Sequence, residues 1–465
     1  MSNKKGLSRR AFLATTTTAA ATGTLLGGRF AAAQTPDKGV KTNTARVVPR
    51  KVSPNEKLNI AGIGVGGMGK GDIMACTGEN IVALCDVDKD QAAEAFYKLP
   101  DAKQYSDYRK MLEEMDGEID ACVISTPDHS HAPAAYMAMN MGKHVRVQKP
   151  LTHTIAEARL LRKVARETGV ITAMGNQGHS GDGVREMCEM LWAGAIGEVK
   201  EAHIWTDRPI WPQGIKKPLK GKEVPDHMDW DLWIGPAPMR AYSPGYAPFK
   251  WRGWWDFGCG AIGDMACHIM DPAFWALRLL DAPSFTCEVV SQEGMTAECP
   301  PKKSVIKFEF PARGSMPPVQ VYWYDGGNLP PRPEGVPEDN KLGGGDNGTL
   351  FIGESGVLTC GTYGGDARLL PDAHMEDYEK PAPYIPRIPD ENPYLNWIYS
   401  VKENKPAMSN FDYAGPLTEV ANFGNVALLA GKKLVYDMAD GTITNDKAAN
   451  ELLTKEYRKG WELPC

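Results

Sequence analysis

The sequence lacks a concentrated run of lysine and arginine, and its formal net charge is −6 over 465 residues. Proteins that bind nucleic acid usually present a concentrated basic face, so this charge balance argues against a nucleic-acid partner. Cysteine occurs at 10 positions, but never in CxxC pairs or at the spacing of zinc ligands. Most of the cysteines are therefore expected to be small core residues. The sequence predicts neither a disulfide framework nor a metal site.

A long hydrophobic run is also missing. The apolar segment within residues 8–34 is rich in threonine and glycine, and it is too short and too polar to span a bilayer comfortably. It follows Arg9 and Arg10 and closes on three alanines, which is the pattern of a twin-arginine export signal with a cleavage site. We expect residues 1–33 to be removed or to act at most as a tether. The mature protein would then be periplasmic or otherwise exported through the twin-arginine pathway, without stable membrane insertion.

What is present is an alternation of apolar strands and helices. Residues 34–56, rich in Lys, Thr, Pro and Asn, predict a linker. The strands "LNIAGI", "NIVALCDVD", "IDACVISTPD", "KHVRVQ" and "VITAM" then alternate with helical segments. Helical crossovers between strands favour a parallel sheet covered on both faces. The sequence therefore predicts an α/β fold, with a doubly wound parallel sheet over residues 57–180.

The chain changes character after residue 180. The strands "VKEAHIWTD", "FTCEVVSQ", "SVIKFEF", "VQVYWYD" and "GTLFIGESGVLTCG" follow one another without helical crossovers. This pattern predicts an α+β domain over residues 181–465 with an open, mostly antiparallel sheet. We expect helices over residues 184–193, near Tyr394 and over residues 417–436. Residues 328–347 are interpreted as a loop that is too polar and too rich in proline to pack.

A glycine-rich turn directly follows the strand "LNIAGI". Its sequence matches G-x-G-x-x-G and consists of Gly64, Val65, Gly66, Gly67, Met68 and Gly69. Such glycines let the backbone turn tightly and approach a pyrophosphate at a helix N-terminus. Strand, turn and helix together therefore predict a Rossmann domain that binds a dinucleotide.

Asp86 closes the second strand, 22 positions after Gly64. An acid at this place accepts hydrogen bonds from the adenosine ribose and repels a 2′-phosphate. No arginine follows in "DVDKD", so NAD is favoured over NADP. In the alternative interpretation, Asp86 only caps the following helix.

The stretch "STPDHSHAPAAYMAMNMGKHVRVQKP" resembles the core of the Gfo/Idh/MocA oxidoreductase family. The resemblance rests on a Thr-Pro turn, a following histidine, "GKHV" and a lysine tripeptide that closes the fifth strand. It covers residues 58–271 and, more weakly, the rest of the chain. It implies a Rossmann domain, a C-terminal domain with an open sheet, and homodimers or homotetramers formed largely through that sheet. It also implies that Thr126, Pro127 and His131 lie at the cofactor site.

The tripeptide here is Gln148-Lys149-Pro150. By resemblance, Lys149 contacts both the nicotinamide ribose and the substrate hydroxyl. Gln148 stands where the family usually has glutamate, which removes a negative charge beside Lys149. Asn176 and Gln177 end the sixth strand, and similar sequences keep this motif, so we expect them to contact nicotinamide or substrate.

A second group of polar residues lies in "WRGWWDFGCGAIGDMACHIMD". Asp264 and His268 are four residues apart on a helix expected to begin after Gly263, so their side chains share one face. By resemblance, His268 accepts the hydroxyl proton, and Asp264 holds a substrate hydroxyl or orients His268. The pair also has the spacing of half a metal site or of a helix cap, but we favour catalysis. We expect Asp271 to be structural.

Seven of the 12 tryptophans fall between positions 205 and 255. They are interleaved with Pro, Gly, Asp and Arg, and flat aromatic faces beside polar groups suit a sugar ring. Candidates for the wall of the substrate pocket are Arg208, Trp211, Arg252 and Trp254.

These features predict an NAD-dependent oxidoreductase acting on a hydroxyl carbon of a sugar, glycoside or polyol. Because free NAD is scarce outside the cytoplasm, we expect an exported enzyme to retain its cofactor. One alternative is an NAD-dependent glycosidase that works by transient oxidation and elimination. The other is a non-catalytic sugar-binding protein.

Overall fold

The structure is a computed structural model that describes residues 48–465. The predicted export signal and most of the predicted linker lie outside these residues. The end of the linker segment lies against the first sheet, where Arg50 Nε is 2.5 Å from Asp120 Oδ1 and Val52 is buried. No helix within residues 48–465 is long and apolar enough to cross a membrane.

Six parallel strands form the first sheet in the order β3-β2-β1-β4-β5-β6. The strands are β1 (Asn59–Ile63), β2 (Asn80–Cys85), β3 (Lys103–Tyr105), β4 (Ala121–Ile124), β5 (His144–Val147) and β6 (Thr172–Met174). The helices are α1 (Gly67–Met74), α2 (Lys89–Lys98), α3 (Tyr108–Glu114), α4 (Asp128–Asn140) and α5 (Ile155–Thr168). The predicted doubly wound sheet is confirmed. Strand order reverses between β1 and β4, the point at which such sheets bind ligands.

Nine strands form the second sheet in the order β13-β12-β11-β7-β10-β9-β8-β14-β15. Their bounds are β7 (Val199–Trp205), β8 (Ser284–Glu293), β9 (Lys303–Phe310), β10 (Val319–Tyr324), β11 (Gly348–Gly353), β12 (Val357–Cys360), β13 (Arg368–Leu370), β14 (Leu434–Asp437) and β15 (Thr442–Ile443). Only β7 and β10 pair in parallel. The predicted open, mostly antiparallel sheet is therefore confirmed.

Six further helices belong to this half of the described chain. They are α6 (Asp182–Trp192), α7 (Trp230–Ile234), α8 (Gly260–Ile269), α9 (Asp271–Ala276), α10 (Pro393–Glu403) and α11 (Phe411–Ala430). Helix α11 is buried along almost its whole length and packs against α5, α8 and β8. A helix that is apolar on all sides belongs in a core, and α11 accordingly joins the two sheets.

The helix predicted over residues 417–436 extends beyond the observed one, because α11 ends at Ala430. Gly431 adopts φ +65° after the last turn of α11, a left-handed conformation that commonly ends helices at glycine. Leu434 and the residues after it instead form β14, which pairs with β8. Helix α10 also differs from the linear domain division, because Trp397 packs into the core of the first sheet beside Leu58 and Ile73.

The expectation that residues 328–347 do not pack is wrong. Val336 is buried against Trp205, Tyr324 and Leu350 on the outer face of the second sheet. The Trp205 indole also donates a hydrogen bond to the Gly345 carbonyl at 2.7 Å. Leu342 packs against the same cluster, and the Thr206 hydroxyl and the Asp372 amide donate to side chains of this segment. Composition alone does not reveal such anchors.

The cysteines fit the sequence-based expectation. Nine of the ten are buried, and all ten are free thiols.

Candidate active site

The glycine turn packs tightly against the end of β4. Gly64 has φ +76°, and a Cβ placed there would lie 2.8 Å from the Ser125 backbone. A Cβ on Gly69 would lie 1.8 Å from the Gly64 carbonyl oxygen. Both positions therefore require glycine. The N-terminus of α1 consequently lies directly beside the ends of β1 and β4.

Asp86 follows β2 and lies beside this turn, as predicted. Its Oδ2 accepts hydrogen bonds from the Val65 and Gly66 amides at 2.8 and 3.0 Å, and its Oδ1 accepts one from the Asp88 amide. Burial raises the pKa of Asp86, although these three amides oppose the shift. Asp88, rather than Asp86, caps helix α2.

A cavity of about 490 Å³ runs from the glycine turn to Lys149, a volume typical of small-molecule sites. Most of the predicted cofactor residues line it: Gly64, Gly66, Gly67, Met68, Asp86, Thr126, Pro127 and Lys149. Glycine turn, acid and crevice at the reversal of strand order together fit a bound dinucleotide.

Seven apolar residues from the second half of the chain line this cavity, among them Trp211 and Pro248. We call the other five the cover: Leu232, Trp233, Phe249, Trp251 and Trp461.

The cover is fixed to the first domain at two places. The Lys89 amide donates to the His227 carbonyl at 2.9 Å, and the Asp229 amide donates to the Val87 carbonyl at 2.8 Å. His227 Nδ1 also lies 2.8 Å from Asp88 Oδ1. The second place is Trp461, whose ring carries the Arg109 guanidinium at 4.2 Å, a cation–π contact.

Lys149 and Asp264 form a buried ion pair between the two domains. Lys149 Nζ lies 2.7 Å from Asp264 Oδ1 and donates to the Asp264 carbonyl at 2.8 Å. Arg252 Nη1 lies 3.1 Å from the same Oδ1. Burial by itself raises the pKa of Asp264, but Arg252 and Lys149 together hold it well below its usual range. The carboxylate is therefore ionised.

His268 follows Asp264 by one turn on α8, which begins at Gly260 rather than after Gly263. Its ring is buried, and Nδ1 has no hydrogen-bond partner. Burial and the Lys149 charge hold the pKa of His268 well below its usual range. The ring is therefore neutral and has an unused nitrogen, which is what a proton acceptor requires.

Three of the predicted site residues carry buried polar atoms without partners: Asn176 Oδ1 and Nδ2, Arg252 Nε and His268 Nδ1. Leaving such atoms unpaired costs about 1–3 kcal/mol each. Their concentration among the predicted site residues points to a polar ligand.

Gln177 lies next to Asn176, and its Nε2 donates to the Tyr363 hydroxyl at 3.0 Å. Tyr363 packs edge-on against His268, with ring centroids 5.0 Å apart, and its φ is +66°. Sequence analysis missed this tyrosine. The signal available in the sequence was its glycine-rich context, "GTYGG". Glycine-rich loops often contain residues with positive φ, and a non-glycine residue with positive φ often marks a functional loop.

His131 does not line the cavity, contrary to the prediction. Its two ring nitrogens each lie 2.8 Å from a backbone carbonyl, those of Pro150 and Thr126. It therefore links the segments that follow β4 and β5. His129 similarly contacts the Phe257 and Trp233 carbonyls. Within residues 48–465, no group of three potential ligands is arranged to hold a metal ion.

The predicted substrate residues divide into two groups. Trp211 and Arg252 line the cavity, and Arg208 Nε lies 3.5 Å from Asp264 Oδ2. Trp254 instead lies in an aromatic core, where its indole donates to the Gly245 carbonyl. The cavity wall contains Trp251 in its place, with the Arg252 guanidinium 4.2 Å from the Trp251 ring centroid.

Asp271 and His179 form a separate buried pair. His179 Nδ1 lies 3.0 Å from Asp271 Oδ2, and the Tyr413 hydroxyl donates to Asp271 Oδ1 at 2.6 Å. These contacts join α9 to α11, in accord with the structural role expected for Asp271.

Replacement of Gly69 by alanine should abolish nucleotide binding, because the new Cβ would meet the Gly64 carbonyl. Gly71→Ala is the matched control on the same helix, since a Cβ there meets nothing within 4 Å. We expect it to keep the nucleotide and to gain a few tenths to about 1 kcal/mol of stability. The measurement is nucleotide content per purified chain. Equal content in both variants would contradict the packing described for the turn.

Two family models match the chain in succession. Residues 58–176 match the NAD-binding Rossmann fold of the Gfo/Idh/MocA oxidoreductase family. Residues 200–306 match the family's C-terminal alpha/beta domain.

Curated relatives align with part of the chain. Inositol 2-dehydrogenase of Salmonella typhimurium is 28% identical over 151 residues, which cover 32% of this chain and 44% of the relative. Levoglucosan dehydrogenase of Pseudarthrobacter phenanthrenivorans is 24% identical over 230 residues, which cover 47% of this chain and 50% of the relative. The chain thus spans at most about half the length of these two curated relatives.

Solved structures share the fold over most of the chain. The WlbA dehydrogenase from Bordetella pertussis, solved with NADH and UDP-GlcNAcA, superposes with a TM-score of 0.56 at 16% identity, covering 81% of this chain and 98% of that one. An inositol dehydrogenase homolog from Azotobacter vinelandii, solved with NADH and myo-inositol, gives 0.52 at 15% identity, covering 82% and 98%. With both of its domains matched in order, the chain belongs to the Gfo/Idh/MocA oxidoreductase family and contains that family's NAD-binding Rossmann domain.

Proposed function

We propose that the protein is an NAD-dependent dehydrogenase that transfers a hydride between a hydroxyl-bearing carbon of a sugar, glycoside or polyol and retained NAD. The proposal rests on one observation above all. Lys149, at the end of the nucleotide cavity, is ion-paired with Asp264, one helical turn before a neutral and unpartnered His268. A charged donor and a neutral acceptor side by side are the groups that alcohol oxidation needs.

Each group of the cluster has a distinct role in this proposal. The Lys149 ammonium donates a hydrogen bond to the reacting hydroxyl oxygen and stabilises the carbonyl oxygen that forms. His268 takes the hydroxyl proton at Nδ1. Asp264 orients the Lys149 ammonium through their ion pair, and bound NAD supplies the hydride acceptor.

The substrate class follows from the cavity wall. Trp211 and Trp251 provide flat apolar faces, and Arg252 provides hydrogen-bond donors beside both. Such a wall suits a ring with one C–H face and several hydroxyl groups. The relatives named for inositol and levoglucosan support the same class.

The site of action in this proposal is outside the cytoplasm. Arg9, Arg10 and the alanines that follow support export of the folded protein by the twin-arginine route. Because free NAD is scarce there, the nucleotide has to travel inside the protein. Backbone hydrogen bonds of His227 and Asp229 to Lys89 and Val87 hold the segment that precedes Leu232 and Trp233 of the cover, and this attachment provides the means of retention.

The purified protein tests this function directly. We expect NAD to copurify, and one member of a panel of sugars, polyols and glycosides to raise the absorbance of reduced nicotinamide without releasing an aglycone. Net hydrolysis without NADH would instead support the glycosidase. A protein free of nucleotide would contradict both enzymes.

Lys149→Ala and His268→Asn should each slow the reduction of bound NAD by about 10²- to 10⁴-fold, because each removes a proton-handling group. Both variants should still copurify with NAD, because the glycine turn and Asp86 are unchanged. Lys163→Ala is the control, since this lysine is exposed on α5 and its loss should leave the rate unchanged. Near wild-type rates in either site variant would refute the assignment.

Trp461→Ala should speed the release of NAD by about tenfold or more, equivalent to a loss of about 1.4 kcal/mol. The reason is that Trp461 lines the cavity and is held by Arg109. The rate of nucleotide loss on dilution gives the measurement. Trp192→Ala, on the exposed end of α6, is the matched control. If both variants released NAD at the wild-type rate, the cover would not be what retains it.

A further inference from the structure

Gln148 is held on three sides. Its Nε2 donates to Asp72 Oδ2 at 2.8 Å, and its Oε1 accepts the Lys149 backbone N–H at 3.1 Å. Behind it, a Cβ on Gly175 would lie 2.7 Å from Gln148 Oε1. The side chain therefore has one position, between a buried carboxylate and the backbone of Lys149.

Asp72 lies on α1, the helix that follows the glycine turn, and it is only 1% exposed. Its Oδ2 also accepts from the Ser125 hydroxyl at 2.6 Å, and its Oδ1 accepts from the Tyr394 hydroxyl at 2.5 Å. These donors come from the end of β4 and from α10. Asp72 thus links four segments of the chain through hydrogen bonds: α1, the end of β4, the lysine tripeptide and α10.

The hydrogen bonds around Asp72 favour a neutral donor at position 148. The side chains of Ser125, Gln148 and Tyr394 all donate to Asp72, and Gln148 does so through its amide N–H. A glutamate at position 148 would place a second carboxylate 2.8 Å from Asp72 in a buried site. Two carboxylates at that distance do not both ionise.

We infer that Asp72 supplies the carboxylate that the lysine tripeptide lacks, and that the Asp72–Gln148 hydrogen bond makes both of them positioning residues for Lys149. The inference rests on the proposed function only in so far as Lys149 acts in it. The helix after the glycine turn and the lysine tripeptide are thereby linked through one hydrogen bond.

The test uses Gln148→Glu, Asp72→Asn and the double variant Asp72→Asn/Gln148→Glu in the full chain. In Gln148→Glu, one carboxyl group of the pair has a folded-state pKa above its unfolded value. The pair's stability is present below the unfolded value and is lost as pH rises through the folded one. The melting temperature should therefore fall, relative to wild type, between about pH 5 and about pH 8.

The double variant contains one carboxylate and one amide, so it should recover both the melting temperature and its pH profile. Asp72→Asn alone should be destabilised, because one of the two acceptor oxygens becomes an NH2 group that faces the donors Ser125, Gln148 and Tyr394. Gln104→Glu, on the exposed surface of β3, controls for added charge. A Gln148→Glu profile parallel to wild type, or a double variant no better than Gln148→Glu, would overturn the inference.

The reduction of bound NAD gives a second readout. Gln148→Glu should react at least about tenfold more slowly, because a displaced Lys149 loses its alignment, and the double variant should recover most of that loss. Loss of the rate without recovery would overturn the positioning role. If wild type reduces no bound NAD, the proposed function fails, while the melting curves still decide whether Asp72 and Gln148 form the pair.

Discussion

The buried ion pair between Lys149 and Asp264 is the interaction on which the site depends. The lysine follows β5 of the first domain, and the aspartate lies on α8 of the second, so the pair forms only when the domains are docked. Burying two charges is costly unless geometry and further hydrogen bonds compensate, and removing one partner typically costs about 3–5 kcal/mol. Arg252 provides that compensation, because it contacts Asp264 and also lies 3.2 Å from Asp128 at the start of α4.

This constraint explains why the candidate active site lies at the domain interface. Helix α11 packs on α5 and on α8, so a single buried helix fixes the two elements that follow Lys149 and carry Asp264. The same arrangement keeps His268 neutral, since its ring shares the buried space with the Lys149 charge. The orientation of the lysine and the neutrality of the histidine are therefore two results of one packing arrangement.

The parts of the site that were predicted from sequence depend on short-range geometry. A glycine turn after a strand, an acid at the end of the next strand, and an Asp/His pair one helical turn apart can each be recognised locally. Tyr363 and Trp461 were missed because folding brings them in from distant segments without a motif. Trp254 was predicted for the cavity wall in place of Trp251 for a similar reason, since a stretch rich in tryptophan does not reveal which rings face the core. Burial, which sets the pKa of His268, also arises only from tertiary packing.

The pH dependence of the reduction of bound NAD in a single turnover tests the central claim most directly. If the ion pair and burial keep His268 neutral, the rate with an accepted sugar should stay level from about pH 8 down to about pH 6. A rate that falls through this range with a midpoint near 6.5, the ordinary value for histidine, would contradict the account.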